Sequence, residues 1–322
     1  MTRELLKRTV MELKTNMKKV IVLLWAVWTL TASYGSNNPD VRPRRAQHVV
    51  WIGVDGWGSY AFRDSFHCEM KNIRQLMGEG AWTIKARTVM PSVSGPNWGA
   101  MFSSALPCMN GIVDNSNGPA VPPVATTEHG LFPTVFHIIR QAYPEAEIGV
   151  QHEWMTIKYY VDSLDCNHIK HIGEANAQAD TPAEAAKYIK ERKPDLFFIH
   201  IDQVDHVGHH NGHHTSQYFQ CINRVDDQIG QIVQAVKDAG IFDDTILILT
   251  SDHGGVGKGH GGNHPDELTV PVVYCGKGVR KNYEIPDVVM QFDVASTIAE
   301  IFGIQQPQKW RGKPTPIFEE TP

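Results

Sequence analysis

Three acidic residues of this chain sit where long apolar runs stop. Asp55 follows Val-Val-Trp-Ile-Gly-Val, Asp205 lies just past Leu-Phe-Phe-Ile-His-Ile, and Asp252 with His253 follows Thr-Ile-Leu-Ile-Leu-Thr-Ser. One aspartate after a strand usually marks a turn or a helix cap. Three of them, with histidines attached, imply a shared site, because ligands of open α/β sheets gather at the carboxyl ends of the strands.

The segment from Asp202 to His214 repeats carboxylate and imidazole side chains. An aspartate and a histidine four apart present one oxygen and one nitrogen, a mixed set that suits zinc. Two registers fit, Asp202 with His206 or Asp205 with His209, and Gly208 permits a tight turn in the second. A loose surface histidine tract is the bland alternative, and the apolar run directly before it weighs against that reading. Further on, Asp252 and His253 lead into a glycine-rich stretch with His260 and His264. His260, framed by glycines, is the better ligand candidate, and His264 would stand behind it.

Met90-Pro-Ser-Val-Ser-Gly-Pro-Asn-Trp98 offers a nucleophile, since Ser92 and Ser94 lie in a bend before a predicted helix. A seryl hydroxyl attacks poorly until a base or a metal lowers its pKa. The start of a helix near Asn97 would add N–H donors and a positive dipole end for a phosphate. Two serines that merely cap the helix would leave the metal ligands without a use.

The elements that must position these residues alternate. Apolar strands are predicted at 48–54, 82–89, 147–150, 196–201 and 245–249. Helical spacing covers 71–77, 97–104, 132–143 and 216–239, and Thr181-Pro-Ala-Glu184 marks a further helix start, with Thr181 at the cap. Strands apolar throughout, alternating with helices, give a three-layer α/β/α fold with a mostly parallel central sheet. A single catalytic domain over 47–322 follows, entered through a flexible leader at 36–46.

Residues 1–35 read as an N-terminal extension and signal peptide, with Met17 as a second candidate start. Lys18 and Lys19 precede an apolar run at 20–30 and then small residues, so an exported protein, periplasmic or secreted, is expected. That run is short for a membrane span, which needs about 20 residues, and no stable span is expected after cleavage. A formal charge of −5 argues against a nucleic-acid surface. Five cysteines without a CxxC pair give no cysteine zinc site.

Taken in order, these segments resemble the type I phosphodiesterase/nucleotide pyrophosphatase family of the alkaline phosphatase superfamily, over about residues 49–278. The resemblance implies an alkaline phosphatase-like fold and a two-metal hydrolase of phosphate esters. Asp55 in Gly-Val-Asp-Gly looks like the family's first acidic ligand, and Ser94 matches the nucleophile. Asp205 and His209 match Asp-x-x-Gly-His, which favours the second register. Asp252 and His253 match Asp-His-Gly, and His260 matches the last ligand. On this basis Asp55, Ser94, Asp252 and His253 would share one divalent ion, and Asp205, His209 and His260 the other, both expected to be zinc. Asn115 resembles the asparagine that donates to a phosphoryl oxygen. The expected substrate is a small phosphate ester, cleaved through a phosphoseryl intermediate.

Gly95 stands where this family often has a nucleobase-stacking aromatic, so a nucleotide substrate is not expected. A phosphomonoesterase is the alternative on the same scaffold, although Lys158 lacks the partner of a Lys-x-Arg pair. A Cys/Ser-x-Pro-x-Arg sulfatase motif is absent. A non-catalytic metal-binding module is the alternative from another class. Trp98 and Trp154 are core residues or pocket walls.

Overall fold

Runs of Val, Ile, Leu and Phe without polar alternation become central strands, because both faces of such a strand must be covered. In the computed structural model, which describes residues 41–63, 68–173 and 180–319, β1 is His48–Val54, β2 Gly80–Arg87, β3 Ile148–His152 and β4 His168–His171. Then follow β5 Leu196–Ile201, β6 Thr245–Ser251, β7 Thr269–Gly276 and β8 Tyr283–Glu284. They form an eight-stranded sheet in the order β4-β3-β5-β1-β6-β7-β2-β8. Only β7 runs against the rest, pairing antiparallel with both β6 and β2.

Side-chain alternation divides the core. Val49, Trp51, Val150, Phe198 and Ile248 pack on one face beneath α2 (Ser94–Ser103), α4 (Val135–Ala142) and α9 (Asp293–Ile301). Val50, Ile52, Phe197, Ile199 and Leu249 pack on the other, against α1 (Lys71–Gly78), α5 (Thr181–Arg192) and α7 (Ser216–Asp238). The architecture is therefore three-layer α/β/α. Asp40–Pro322 form one compact unit, and the expected signal segment lies outside the described residues.

Register lines up the carboxyl ends of the three middle strands. Val54 pairs with both Ile201 and Ser251. The next residues, Asp55, Asp202 and Asp252, therefore emerge side by side at one edge of the sheet.

Several boundaries differ from the sequence reading. The helix expected to open near Asn97 opens at Ser94: Val93 is extended (φ −121°, ψ 158°), and Pro96 falls in the first turn, where its missing N–H costs nothing. Helix α5 is capped by Asp180, whose carboxylate accepts from the Ala183 N–H, and Thr181 is its first residue. The helix predicted from 132 begins at Val135, because the Thr134 side chain caps it. Strands β4, β7 and β8 were not anticipated. All five cysteines are unpaired. Among the described residues no helix is long and apolar enough to cross a membrane.

Candidate active site

Asp55 is buried at the end of β1, and its two oxygens face different neighbours. Oδ2 accepts from Trp98 Nε1 and from His200 Nε2, both at 3.0 Å. Oδ1 faces the Ser94 hydroxyl at 3.4 Å and His253 Nε2 at 3.4 Å. Ser94 is the first residue of α2, and its Oγ lies 3.2 Å from His253 Nε2. Asp252 Oδ1 accepts from the Gly56 and His253 N–H groups, whereas Oδ2 accepts no hydrogen bond and sits 3.2 Å from His253 Nε2.

A second set adjoins the first. Helix α6 (Gln203–Asn211) carries Asp205 and His209 one turn apart, the i,i+4 spacing that puts both on one face. Asp205 Oδ2 is 3.2 Å from His209 Nε2, Asp205 Oδ1 is 3.6 Å from His260 Nε2, and the two Nε2 atoms are 3.0 Å apart. The rings of His253 and His260 stack at 3.7 Å, joining the two sets. Gly56, at φ +70°, makes room for Asp205: a Cβ there would meet the Asp205 side chain at 2.7 Å.

The structure thus brings together Asp55, Ser94, Asp205, His209, Asp252, His253 and His260. Asp202 instead stands at the N-cap position of α6 without a side-chain capping bond, and its N–H donates to Glu153 Oε2. His264 caps the short helix Pro265–Leu268. Asn115 is exposed beside Ser94, and its Oδ1 accepts the Gly95 N–H at 2.7 Å, leaving the amide NH2 as its donor end. Trp98 is fully buried and serves Asp55, so it is no pocket wall.

These residues fit divalent cations. The Nδ1 atoms of His209, His253 and His260 each lie 2.9 Å from a backbone carbonyl, of Lys258, Gly254 and Ser92 respectively. A carbonyl only accepts, so Nδ1 carries a proton in each, and in the neutral ring the Nε2 lone pair turns inward. Lone pairs aimed at one another and at carboxylate oxygens repel unless a cation lies between them. Tetrahedral zinc, with ligands near 2.0–2.1 Å, separates its ligand atoms by about 3.3 Å. The Ser94–Asp55, Ser94–His253 and His253–Asp252 separations of 3.4, 3.2 and 3.2 Å match that spacing.

Electrostatics agrees. Burial, then the Asp55 charge, pushes the Asp252 carboxyl well above the usual carboxylate range. Burial would raise Asp55 as well, but the His200 hydrogen bond and the nearby His253 outweigh it and hold that carboxyl low. Two carboxylates in one dry site cannot both ionise without added positive charge. Hydrogen bonding to Asp205 lifts His209 to about 9, and burial depresses His253.

Sequence reasoning missed three supports. His200 is the one ionisable side chain in the apolar run of β5, and that anomaly was a readable signal. Ser92 is the rejected nucleophile candidate; its Oγ bonds Gly262 O and Gly261 N, and its carbonyl holds His260. His213 is wedged between two glycines: a Cβ on Gly208 or Gly255 would meet its ring at 2.5 or 2.2 Å. Its Nδ1 lies 2.9 Å from the Tyr60 hydroxyl. Because those glycines adjoin the ligands on α6 and on the His253–His260 loop, the ring spaces one set against the other.

A sheet edge lined with carboxylate and imidazole side chains, beside a serine at a helix start, is the arrangement expected of an ester-cleaving or ester-transferring class. The family model for type I phosphodiesterase / nucleotide pyrophosphatase matches residues 49–258, and the chain belongs to that family, within the alkaline phosphatase superfamily. It is 28% identical over 138 residues to GPI ethanolamine phosphate transferase 1 of Saccharomyces cerevisiae, covering 37% of this chain and 15% of that protein. It is 23% identical over 293 residues to the catalytic subunit of human GPI ethanolamine phosphate transferase 2, covering 86% of this chain and 28% of that one. The chain thus spans less than a third of either relative's length. Human ectonucleotide pyrophosphatase/phosphodiesterase 5 shares the fold, with a TM-score of 0.68 at 14% identity over 83% of this chain and 97% of that chain.

Proposed function

We propose that the chain is a two-metal phosphoric ester hydrolase of phosphodiesterase type, with Ser94 as its nucleophile. The observation that carries this reading is the Ser94 hydroxyl, 3.4 Å from Asp55 Oδ1 and 3.2 Å from His253 Nε2 at the N-terminus of a buried helix. Asp55, Asp252 and His253 would hold one divalent ion with Ser94, and Asp205, His209 and His260 the other. Zinc suits the mixed nitrogen and oxygen donors. Bound there, the ions would lower the pKa of the seryl hydroxyl and neutralise charge gathering on the phosphoryl oxygens.

The remaining chemistry belongs to the chain. Ser94 Oγ forms the new P–O bond as the opposite P–O bond to the leaving alcohol breaks, and the seryl proton passes to solvent. Because the Gly95 N–H is given to Asn115 Oδ1 and Pro96 has none, the Ser94 backbone N–H and the Asn115 amide NH2 would be the donors offered to a phosphoryl oxygen. Hydrolysis of the phosphoseryl group then frees a monoester and restores the hydroxyl.

A second reading is transfer of the phosphoryl group to an alcohol in place of water. The names of the two matched relatives, both ethanolamine phosphate transferases, favour it. A phosphomonoesterase is the further alternative. Aryl mono- and diesters assayed with and without added alcohol, on protein restored with zinc, discriminate among them. The reading predicts diester turnover at least tenfold above monoester. Faster monoester cleavage overturns the diesterase assignment, and alcohol-dependent product defines a transferase.

Export also belongs to this proposal. Its support is the charged start at Lys18 and Lys19, with the apolar run and small residues that follow. N-terminal sequencing of the mature protein tests it.

A further inference from the structure

A second gathering of imidazoles and carboxylates lies apart from the residues described above. His129 is in the loop before α4, His137 is in the first turn of α4, and Asp162 and Asp165 belong to the turn before β4. His137 Nδ1 lies 3.2 and 3.3 Å from the two oxygens of Asp165, whose side chain is only 3% exposed. His129 Nδ1 is 2.5 Å from Asp162 Oδ2, in a side chain 11% exposed. That oxygen is buried, yet the contact lacks hydrogen-bond geometry and the atom has no donor. Glu128 Oε1 stands 3.8 Å from the other nitrogen of His129.

With both imidazoles neutral, charge does not balance here among the protein groups. Two nearly buried carboxylates, with a third beside them, face two imidazoles, and among the described residues no lysine or arginine pairs with either Asp162 or Asp165. Arg140, the nearest guanidinium, spends its donors on the Asp165 and Pro144 carbonyls and on Asn167 Oδ1. Buried carboxylates persist when they are paired or bind a metal. One ligand atom each from His129, His137 and Asp165 falls within 4.8 Å of the others. A set of two imidazoles and one carboxylate is an established donor set for zinc and related transition metals.

We infer that His129, His137 and Asp165 bind a divalent transition-metal ion of the zinc type, with Asp162 set against His129 to orient its ring or complete the shell. The site is structural. It ties the loop between Asn110 and Val135, which carries Asn115, to the segment whose Tyr160 hydroxyl donates to Ser116 O at 3.0 Å. The inference does not depend on how many ions the Ser94 site holds, because its test is a difference.

Full-length protein loaded with zinc chloride and desalted into metal-free buffer is measured by mass spectrometric metal analysis. His129→Ala and Asp165→Asn should each carry one zinc per chain fewer than the parent, while Asp205→Ala should lose its ion elsewhere and retain this one. Adding zinc to chelated parent should slow proteolysis near His129 at least severalfold, and should not do so in His129→Ala. If Asp165→Asn fails to fold, His129→Ala decides, since that side chain is partly exposed on a loop. Equal zinc content in parent and His129→Ala, with equal proteolysis, overturns the site and leaves two histidine–aspartate ion pairs.

Discussion

His200 holds Asp55 from beneath the reaction centre: its Nε2 donates to Asp55 Oδ2 at 3.0 Å, and both side chains are buried. With Trp98 on the same oxygen, only Asp55 Oδ1 is left to face Ser94. Partners that orient a metal ligand typically contribute 10–100-fold in metal affinity or activity. His200→Leu should therefore weaken zinc binding by about that factor and lower kcat in proportion. Competition with a chromogenic chelator measures the first, and unchanged zinc affinity contradicts the role.

His213 is the spacer between α6 and the His253–His260 loop. His213→Ala removes a buried ring from between Gly208 and Gly255, and cavities of this kind cost about 2–4 kcal/mol. Urea unfolding should show a loss of that size, with zinc released from the Asp205, His209 and His260 set at lower chelator concentration than in the parent. His213→Ala protein with parental stability and zinc retention would remove the spacer role.

Metal-free protein should weaken in acid through two buried imidazoles. Burial lowers His152 to about 4 and His213 to about 3, from 6.5 in the unfolded chain. Between pH 6.5 and those values the unfolded state binds more protons, so stability falls as pH drops, by up to about 1.4 kcal/mol per pH unit for each group. His152→Gln in chelator should show a shallower decline between pH 6.5 and 4.5. An identical decline contradicts the assignment.

His209 works in the opposite direction. Its hydrogen bond to Asp205 raises it to about 9 in the metal-free protein, so the folded state gains from that proton below pH 6.5 and loses the gain as pH rises through 9. Zinc needs neutral imidazole. Binding at pH 7.5 should release about one proton from this residue, and zinc affinity should rise toward pH 9. Calorimetry in buffers of different ionisation enthalpy measures the release, which His209→Ala should abolish.

Gly95 has no space for a side chain. A Cβ there would meet Asp114 O at 2.3 Å and the Tyr160 hydroxyl at 2.5 Å. Gly95→Ala should displace the Asn115 loop, cost about 1–3 kcal/mol by overpacking, and lower kcat more than it alters zinc content. Normal kinetics in this variant would detach the Asn115 loop from the chemistry.

Much of this layout was legible because β1, β5 and β6 carry both unbroken apolar runs and their stop signals in the sequence. Apolar runs identified the buried strands, and the residue after each run identified the sheet edge. Helix α2 was read three residues short because Gly95 and Pro96 look like breakers, whereas the first turn tolerates both. Strands β4 and β8 span only four and two residues, too short to show a period. His200 stood out only as the one ionisable side chain in an apolar run, whereas His213 and Ser92 act through contacts with residues far away in sequence that no local pattern encodes. The choice of Asp205 over Asp202 rested on the family motif, and in the structure it follows from the α6 face shared with His209.

The central claim is most directly tested by trapping the phosphorylated enzyme. Zinc-restored protein mixed with an aryl phosphodiester and quenched in acid within a turnover should yield a phosphoryl ester on the peptide containing Ser94, by tandem mass spectrometry. Ser94→Ala should show neither label nor turnover while keeping its zinc. A label on any other residue, or full turnover by Ser94→Ala, would contradict the account.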